Sequence, residues 1–97
     1  MTLNLSDLQT FDVTDYLTDK ESMQSFLNDA FETGNVEFIA HSLGVIAKAK
    51  GMSKVAQKTG LSRESLYRAL SKNGNPTFKT ILLVTQALGF SLTAITS

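Results

Sequence analysis

Residues Met52-Ser-Lys-Val-Ala-Gln-Lys-Thr-Gly60-Leu-Ser-Arg-Glu-Ser-Leu-Tyr-Arg-Ala-Leu-Ser-Lys72 read as two short helices joined by a tight turn. Ser53 is the expected N-cap of the first, its hydroxyl accepting from the free amides of the opening turn. Val55 and Ala56 then face inward, and the small Ala56 lets a neighbouring helix approach closely. Gly60 follows Thr59 where the helix must stop, since glycine takes up the left-handed conformation of such a stop without a Cβ clash. Leu61 enters the core, and Ser62 caps a second helix running from Arg63 to about Ser71. Leu66, Ala69 and Leu70 give that helix an apolar stripe, while Arg63, Glu64, Tyr67, Arg68 and Ser71 occupy its other face. A small residue at 56, a glycine at 60 and an apolar residue at 66 follow the spacing of a DNA-binding helix-turn-helix.

Upstream of this unit, residues 1–15 show no helical period and read as a tail or short strand, with Phe11 and Val13 on one side of Thr10-Phe11-Asp12-Val13. Residues 16–97 read as a single helical domain. Thr18-Asp19-Lys20-Glu21 has the form of a capping box, with Thr18 at the cap and Glu21 three residues on. The helix it opens carries Met23, Phe26, Leu27, Ala30 and Phe31 at helical spacing and ends at Gly34. Asn35 caps the next helix, in which Val36, Ile39, Ala40, Leu43, Ile46 and Ala47 form one stripe while Phe38 and Val45 lie off it. A helix apolar on more than one side is sandwiched, so this one is expected to be the central strut, closed by Gly51.

Downstream, Asn73-Gly74-Asn75-Pro76-Thr77 carries every marker of a turn. Thr77 caps a last helix over 78–88, ended by Gly89. Phe78, Ile81, Leu82 and Leu88 fit one of its faces, and Leu83, Val84 and Ala87 make a second. Residues 90–96 alternate apolar and polar and read as a C-terminal strand. A lone strand is unstable, so this one needs a partner in the N-terminal tail or in a second subunit. The spare helix face and the unpaired strand both point to a homodimer.

With 97 residues, 42% of them apolar, the chain suits one domain with a modest core. The absence of cysteine excludes disulfides, thiolate metal sites and cysteine nucleophiles, and fits a reducing cytosol. No apolar run spans a membrane and the start lacks the basic region of a secretion signal, so a cytoplasmic location is expected and no membrane partner. The formal net charge of zero conceals a polarised chain. Residues 1–47 carry Asp7, Asp12, Asp15, Asp19, Glu21, Asp29, Glu32 and Glu37 against Lys20 alone. Residues 48–97 carry Lys48, Lys50, Lys54, Lys58, Arg63, Arg68, Lys72 and Lys79 against Glu64 alone. Such a division suits two surfaces with different partners, the basic one matched to phosphate. Mere solvation of the helices is the alternative, and it carries less weight for the basic half, whose charges bracket the helix-turn-helix.

No enzyme site assembles from this inventory. His41 is the only histidine, no phosphate-cradling glycine loop occurs, and the carboxylates lie on capped ends and solvent faces. No catalytic residue, metal site or cofactor is therefore expected. For DNA the residue types are right. The first residues of the second helix enter the major groove in such a unit. Arg63 and Arg68 each suit paired hydrogen bonds to a guanine edge, each worth about 1–3 kcal/mol of discrimination. Glu64 either accepts from a cytosine amine or holds an arginine in place. Tyr67 either touches a thymine methyl or a phosphate, or packs on the preceding helix. Lys54, Lys58, Ser62, Lys72, Asn73, Asn75, Thr77 and Lys79 sit at helix starts and in the following turn, where phosphate is met.

From Phe11 onward the chain resembles the HigA-like antidotes of bacterial addiction (toxin–antitoxin) modules, within the phage-repressor-like helix-turn-helix superfamily. The residues that carry the likeness are Phe11-Asp12 with Tyr16-Leu17, then Leu43-Gly44-Val45-Ile46-Ala47-Lys48-Ala49-Lys50-Gly51-Met52. Gly60-Leu61-Ser62-Arg63-Glu64-Ser65-Leu66-Tyr67-Arg68-Ala69-Leu70, Gly74-Asn75-Pro76-Thr77-Phe78 and Ala87-Leu88-Gly89 complete it. Val55 stands where a leucine is usual. The resemblance implies an all-α, five-helix domain and a small basic toxin of the RelE/ParE type as partner. It also implies dimeric binding to an operator at the chain's own promoter, an inverted repeat in double-stranded DNA, and hence a bacterial, nucleoid-associated protein. Two other functions fit the same residues: a stand-alone repressor without a toxin, and a helical adaptor whose basic face docks an acidic protein.

Overall fold

A computed structural model describes residues 19–71 and 73–96. Within them the chain is all-helical: α1 Lys20–Glu32, α2 Val36–Lys50, α3 Met52–Thr59, α4 Arg63–Ala69 and α5 Phe78–Ala87. The expected N-terminal strand, the tail 1–15, the cap Thr18 and Lys72 lie outside the described residues.

Local hydrogen bonding accounts for most of the boundaries. Asn35 Oδ1 accepts from the Phe38 amide at 3.0 Å, Ser62 Oγ from the Ser65 amide at 3.0 Å and Thr77 Oγ1 from the Thr80 amide at 3.2 Å. Each satisfies an amide that the first turn of a helix leaves free. Two caps differ from expectation. The N-cap of α1 is Asp19, whose carboxylate accepts from the Ser22 amide at 2.6 Å. A carboxylate gains from the positive end of the helix as well as from the hydrogen bond, and so starts the helix one residue later than a Thr18 cap would. Ser53 caps nothing: it lies inside α3, whose N-cap is Gly51 with no side-chain hydrogen bond. Gly51, at φ +107°, closes α2 through its amide to the Ala47 carbonyl and opens α3 by accepting from the Val55 amide, so the chain turns on one residue.

Helix α2 is the central strut, packing against α1, α3, α4 and α5. Its Leu43 and Ile46 are fully enclosed, beside Leu66 of α4 and Leu88 after α5. Burial of each such side chain contributes about 1.5–3 kcal/mol. Met23 and Leu27 of α1 join this core, with Phe26 and Phe31 packed against it. The start of α2 departs from its expected stripe at Val36, which is exposed, as is Phe38 off the stripe. On α5 the core face is Ile81, Val84 and Leu88, and Phe78 points away, 70% exposed. Apolar spacing alone did not choose between the two faces of α5; contact with α2 and α3 does.

The expected C-terminal strand over 90–96 is not present. Instead Gly89, at φ +89°, donates to the Gln86 carbonyl and Phe90 donates to the Thr85 carbonyl, which closes the end of α5. Beyond Phe90 no neighbouring strand among the described residues offers a ladder, and alternation without a ladder does not make a strand.

Candidate nucleic-acid interface

The unit α3–turn–α4 is built from its buried side. Val55 on α3 and Leu66 on α4 are buried, with Ala56 and Leu61 packed between them and the rest of the core. Gly60, at φ +78°, ends α3 while its amide donates to the Ala56 carbonyl at 2.9 Å. Thr59 Oγ1 then accepts from the Leu61 amide at 3.2 Å, which steers the turn toward Ser62. With Leu66 and Leu70 pinned inward, Arg63, Glu64, Tyr67 and Arg68 fall on the outer surface of α4, all exposed. The helix is shorter than expected, ending at Ala69. Ser71 Oγ donates to the Arg68 carbonyl at 2.9 Å and takes over an acceptor that a continued helix would have used.

Three of the four outward side chains have partners. Glu64 Oε1 lies 3.5 Å from Arg68 Nη2, one helical turn apart. Both groups are well exposed, so the pair contributes only about 0.3–0.5 kcal/mol, but it orients the Arg68 guanidinium along the helix. Tyr67 leans toward α2, its ring 5.8 Å from Lys48 Nζ, over a hollow that includes His41 and Gly44. It remains 42% exposed, so one edge packs and the other faces solvent. Arg63 has no carboxylate within ion-pair distance among the described residues.

The residues expected at phosphate are spread over three elements. Lys54 and Lys58 stand exposed one turn apart on α3. The Ser62 hydroxyl is engaged within its own cap, donating to Ser65 Oγ at 2.9 Å, and Thr77 Oγ1 lies 3.1 Å from Thr80 Oγ1. Asn73, Asn75 and Lys79 are exposed around the start of α5.

Sequence reasoning passed over two contributors. Lys48 supports Tyr67 from a different helix, a contact no local pattern reveals. Gly44 lets α2 meet the end of α4: a Cβ there would stand 2.8 Å from the Leu70 carbonyl oxygen. Among the described residues no cluster of metal-binding side chains occurs, and no helix is long and apolar enough to cross a membrane.

No solved structure matches the chain. An uncharacterised protein of Haemophilus influenzae (strain Rd) is 48% identical over 81 residues, which is 84% of each chain. The family described as probable addiction module antidote protein matches residues 7–96. On that match, nearly the whole of its length, the chain belongs to the family of probable addiction module antidote proteins.

Proposed function

We propose that this antidote binds DNA through α3 and α4, acting as a phage-repressor-like helix-turn-helix of the HigA kind, and represses its own operon. The observation that carries the reading is the capped, outward face of α4, where Arg63, Glu64, Tyr67 and Arg68 stand exposed above a buried Leu66. In this reading Arg63 and Arg68 meet guanine edges, Glu64 sets the Arg68 geometry, and Tyr67 contributes from the rim. Lys54, Lys58, Asn73, Asn75 and Lys79 fix register on phosphate, joined by Lys72 and by the capped helix starts at Ser62 and Thr77. A homodimer places two α4 helices in successive major grooves, so the operator is an inverted repeat with half-sites about 34 Å apart. The acidic residues of the N-terminal half suit a small basic toxin of the RelE/ParE type, which the antidote neutralises.

The test is fluorescence anisotropy of the gene's own upstream DNA, titrated with the protein alone and with the product of the adjacent small gene. Phosphate contact predicts affinity falling by roughly 0.9 log units per contact per log unit of salt. Arg63→Ala should weaken the cognate operator by about 1–3 kcal/mol and random duplex far less, whereas Lys54→Ala should weaken both alike. Equal losses for Arg63→Ala would remove it from base reading. Binding unaffected by the neighbouring gene product would leave a repressor without a toxin, and no preference over scrambled DNA would sink the operator claim.

A further inference from the structure

Four lysines from three helices line one hollow of about 420 Å³ beside the end of α5. Lys20 comes from α1, Lys50 from the end of α2, and Lys54 and Lys58 from α3, with Gln86 and Gly89 completing the wall. None of the residues lining the hollow is acidic. The one ion pair among the described residues is Arg68–Glu64, so none of these four lysines is held by a described carboxylate. Like charges gathered around a concave, partly apolar wall focus a positive potential and repel one another unless an anion sits among them.

Helix ends explain part of the cluster. Lys50 and Lys58 lie in the last turns of α2 and α3, where the helix dipole favours a cation. The same dipole disfavours Lys54, which lies in the first turn of α3, a helix that opens with no acid and no side-chain cap. Lys20 is the only lysine or arginine among residues 1–47, and its Nζ also lies 5.7 Å from the Phe90 ring centre, in a neighbouring hollow that it lines with Glu21 and Glu32. Gly89 makes room for it: a Cβ at 89 would stand 3.2 Å from Lys20 Nζ. A base at the disfavoured end of α3 and another from the acidic half of the chain thus line the same hollow.

We infer that the Lys20, Lys50, Lys54 and Lys58 hollow is a binding site for a phosphate-rich anion carrying several charges in a short span. Two sources offer that chemistry: consecutive backbone phosphates of a duplex, or a free oligophosphate. The site rests in part on the proposed function, with which it shares Lys54 and Lys58 as phosphate contacts, but it is distinct from the base-reading face of α4.

Inorganic tripolyphosphate is the probe, followed by amide chemical shifts of the full-length protein, with orthophosphate as comparator. The expected result is saturable binding with shifts confined to residue 20 and its neighbours in α1, to residues 50–58 and to 86–89. The double variant Lys50→Ala/Lys58→Ala should weaken it about tenfold or more, as loss of two phosphate contacts implies. A duplex that displaces tripolyphosphate, and that the double variant binds with a shallower salt slope, assigns the site to backbone phosphate. A duplex and tripolyphosphate bound together assign it to a free oligophosphate. Equal tripolyphosphate affinity in the double variant and the parent protein, or shifts scattered over all basic residues, would overturn the inference. Loss of operator preference with tripolyphosphate binding intact would count against the reading of α4 alone.

Discussion

At the scale of single residues, two buried positions on α2 respond to substitution in opposite ways. Gly44 presses its Cα face on the Leu70 carbonyl, with the Leu70 Cβ only 3.2 Å from where a side chain would begin. Alanine is the better helix former by about 1 kcal/mol, but the clash involves backbone and cannot be relieved by rotating a side chain. Gly44→Ala is expected to lower stability by about 1–2 kcal/mol net in urea unfolding, by pushing the end of α4 outward. An unchanged or higher midpoint would mean that α4 shifts at little cost. Ser42 is the opposite case. It is buried at 1% exposure, and its Oγ finds no hydrogen-bond partner among the described residues. Ser42→Ala removes a desolvated hydroxyl at nearly constant volume, so it should be neutral or stabilising by up to about 1 kcal/mol. A clear loss of stability would reveal a bonded hydroxyl.

At the scale of elements, the caps decide where helices begin, and one of them is sensitive to pH. Asp19 is held below the usual carboxylate range, chiefly by the hydrogen bond that its carboxylate accepts from the Ser22 amide, with the Ser22 side chain adding to it. A group whose folded pKa is depressed stabilises the fold above its unfolded pKa and loses that contribution as pH falls through the folded value. Asp19→Ala should therefore lower the melting temperature at neutral pH, with the gap closing as acid protonates the parent carboxylate. A gap of equal size in strong acid would show that charge plays no part. The same elements show what can be read along a chain. Asn35, Ser62, Thr77 and Gly60 were legible because a cap or a stop is chemistry between residues at most four apart. Asp19 in place of Thr18, and Gly51 in place of Ser53, were not, because adjacent residues compete for one role by small margins. The strand over 90–96 failed for a different reason: its alternation is local, but the ladder that would make it a strand is not. The outward direction of Phe78 is not legible, because α5 has two apolar faces and only α2 and α3 select between them. The outward set on α4 was legible through Leu66 and Leu70, while the support of Tyr67 by Lys48 depends on a residue 19 positions away on another helix.

At the scale of the whole molecule, charge and packing divide along the same line. Helix α1 packs principally on α2, whereas α4 rests on α2 and α3, so the acidic helix and the basic outer helix share a core without sharing a surface. Glu21, Asp29 and Glu32 are all exposed on α1, and Glu37 follows at the start of α2. In the proposed function this lets one small chain offer an anionic face to a basic toxin and a cationic face to DNA, with α2 between them. Charged faces of this kind act mainly on the rate of encounter, which falls steeply with ionic strength. Reversing Glu21, Asp29 and Glu32 to lysine should slow association with the toxin by about tenfold or more at low salt and by much less at high salt. Stopped-flow mixing with the neighbouring gene's product reads this directly. Operator affinity measured on the same variant separates the two faces: it should hold or rise slightly, since all three positions leave the core and α4 untouched. A toxin association rate indifferent to the reversal would place the toxin elsewhere on the chain, and an operator affinity that collapsed with it would mean that the two faces are not separate.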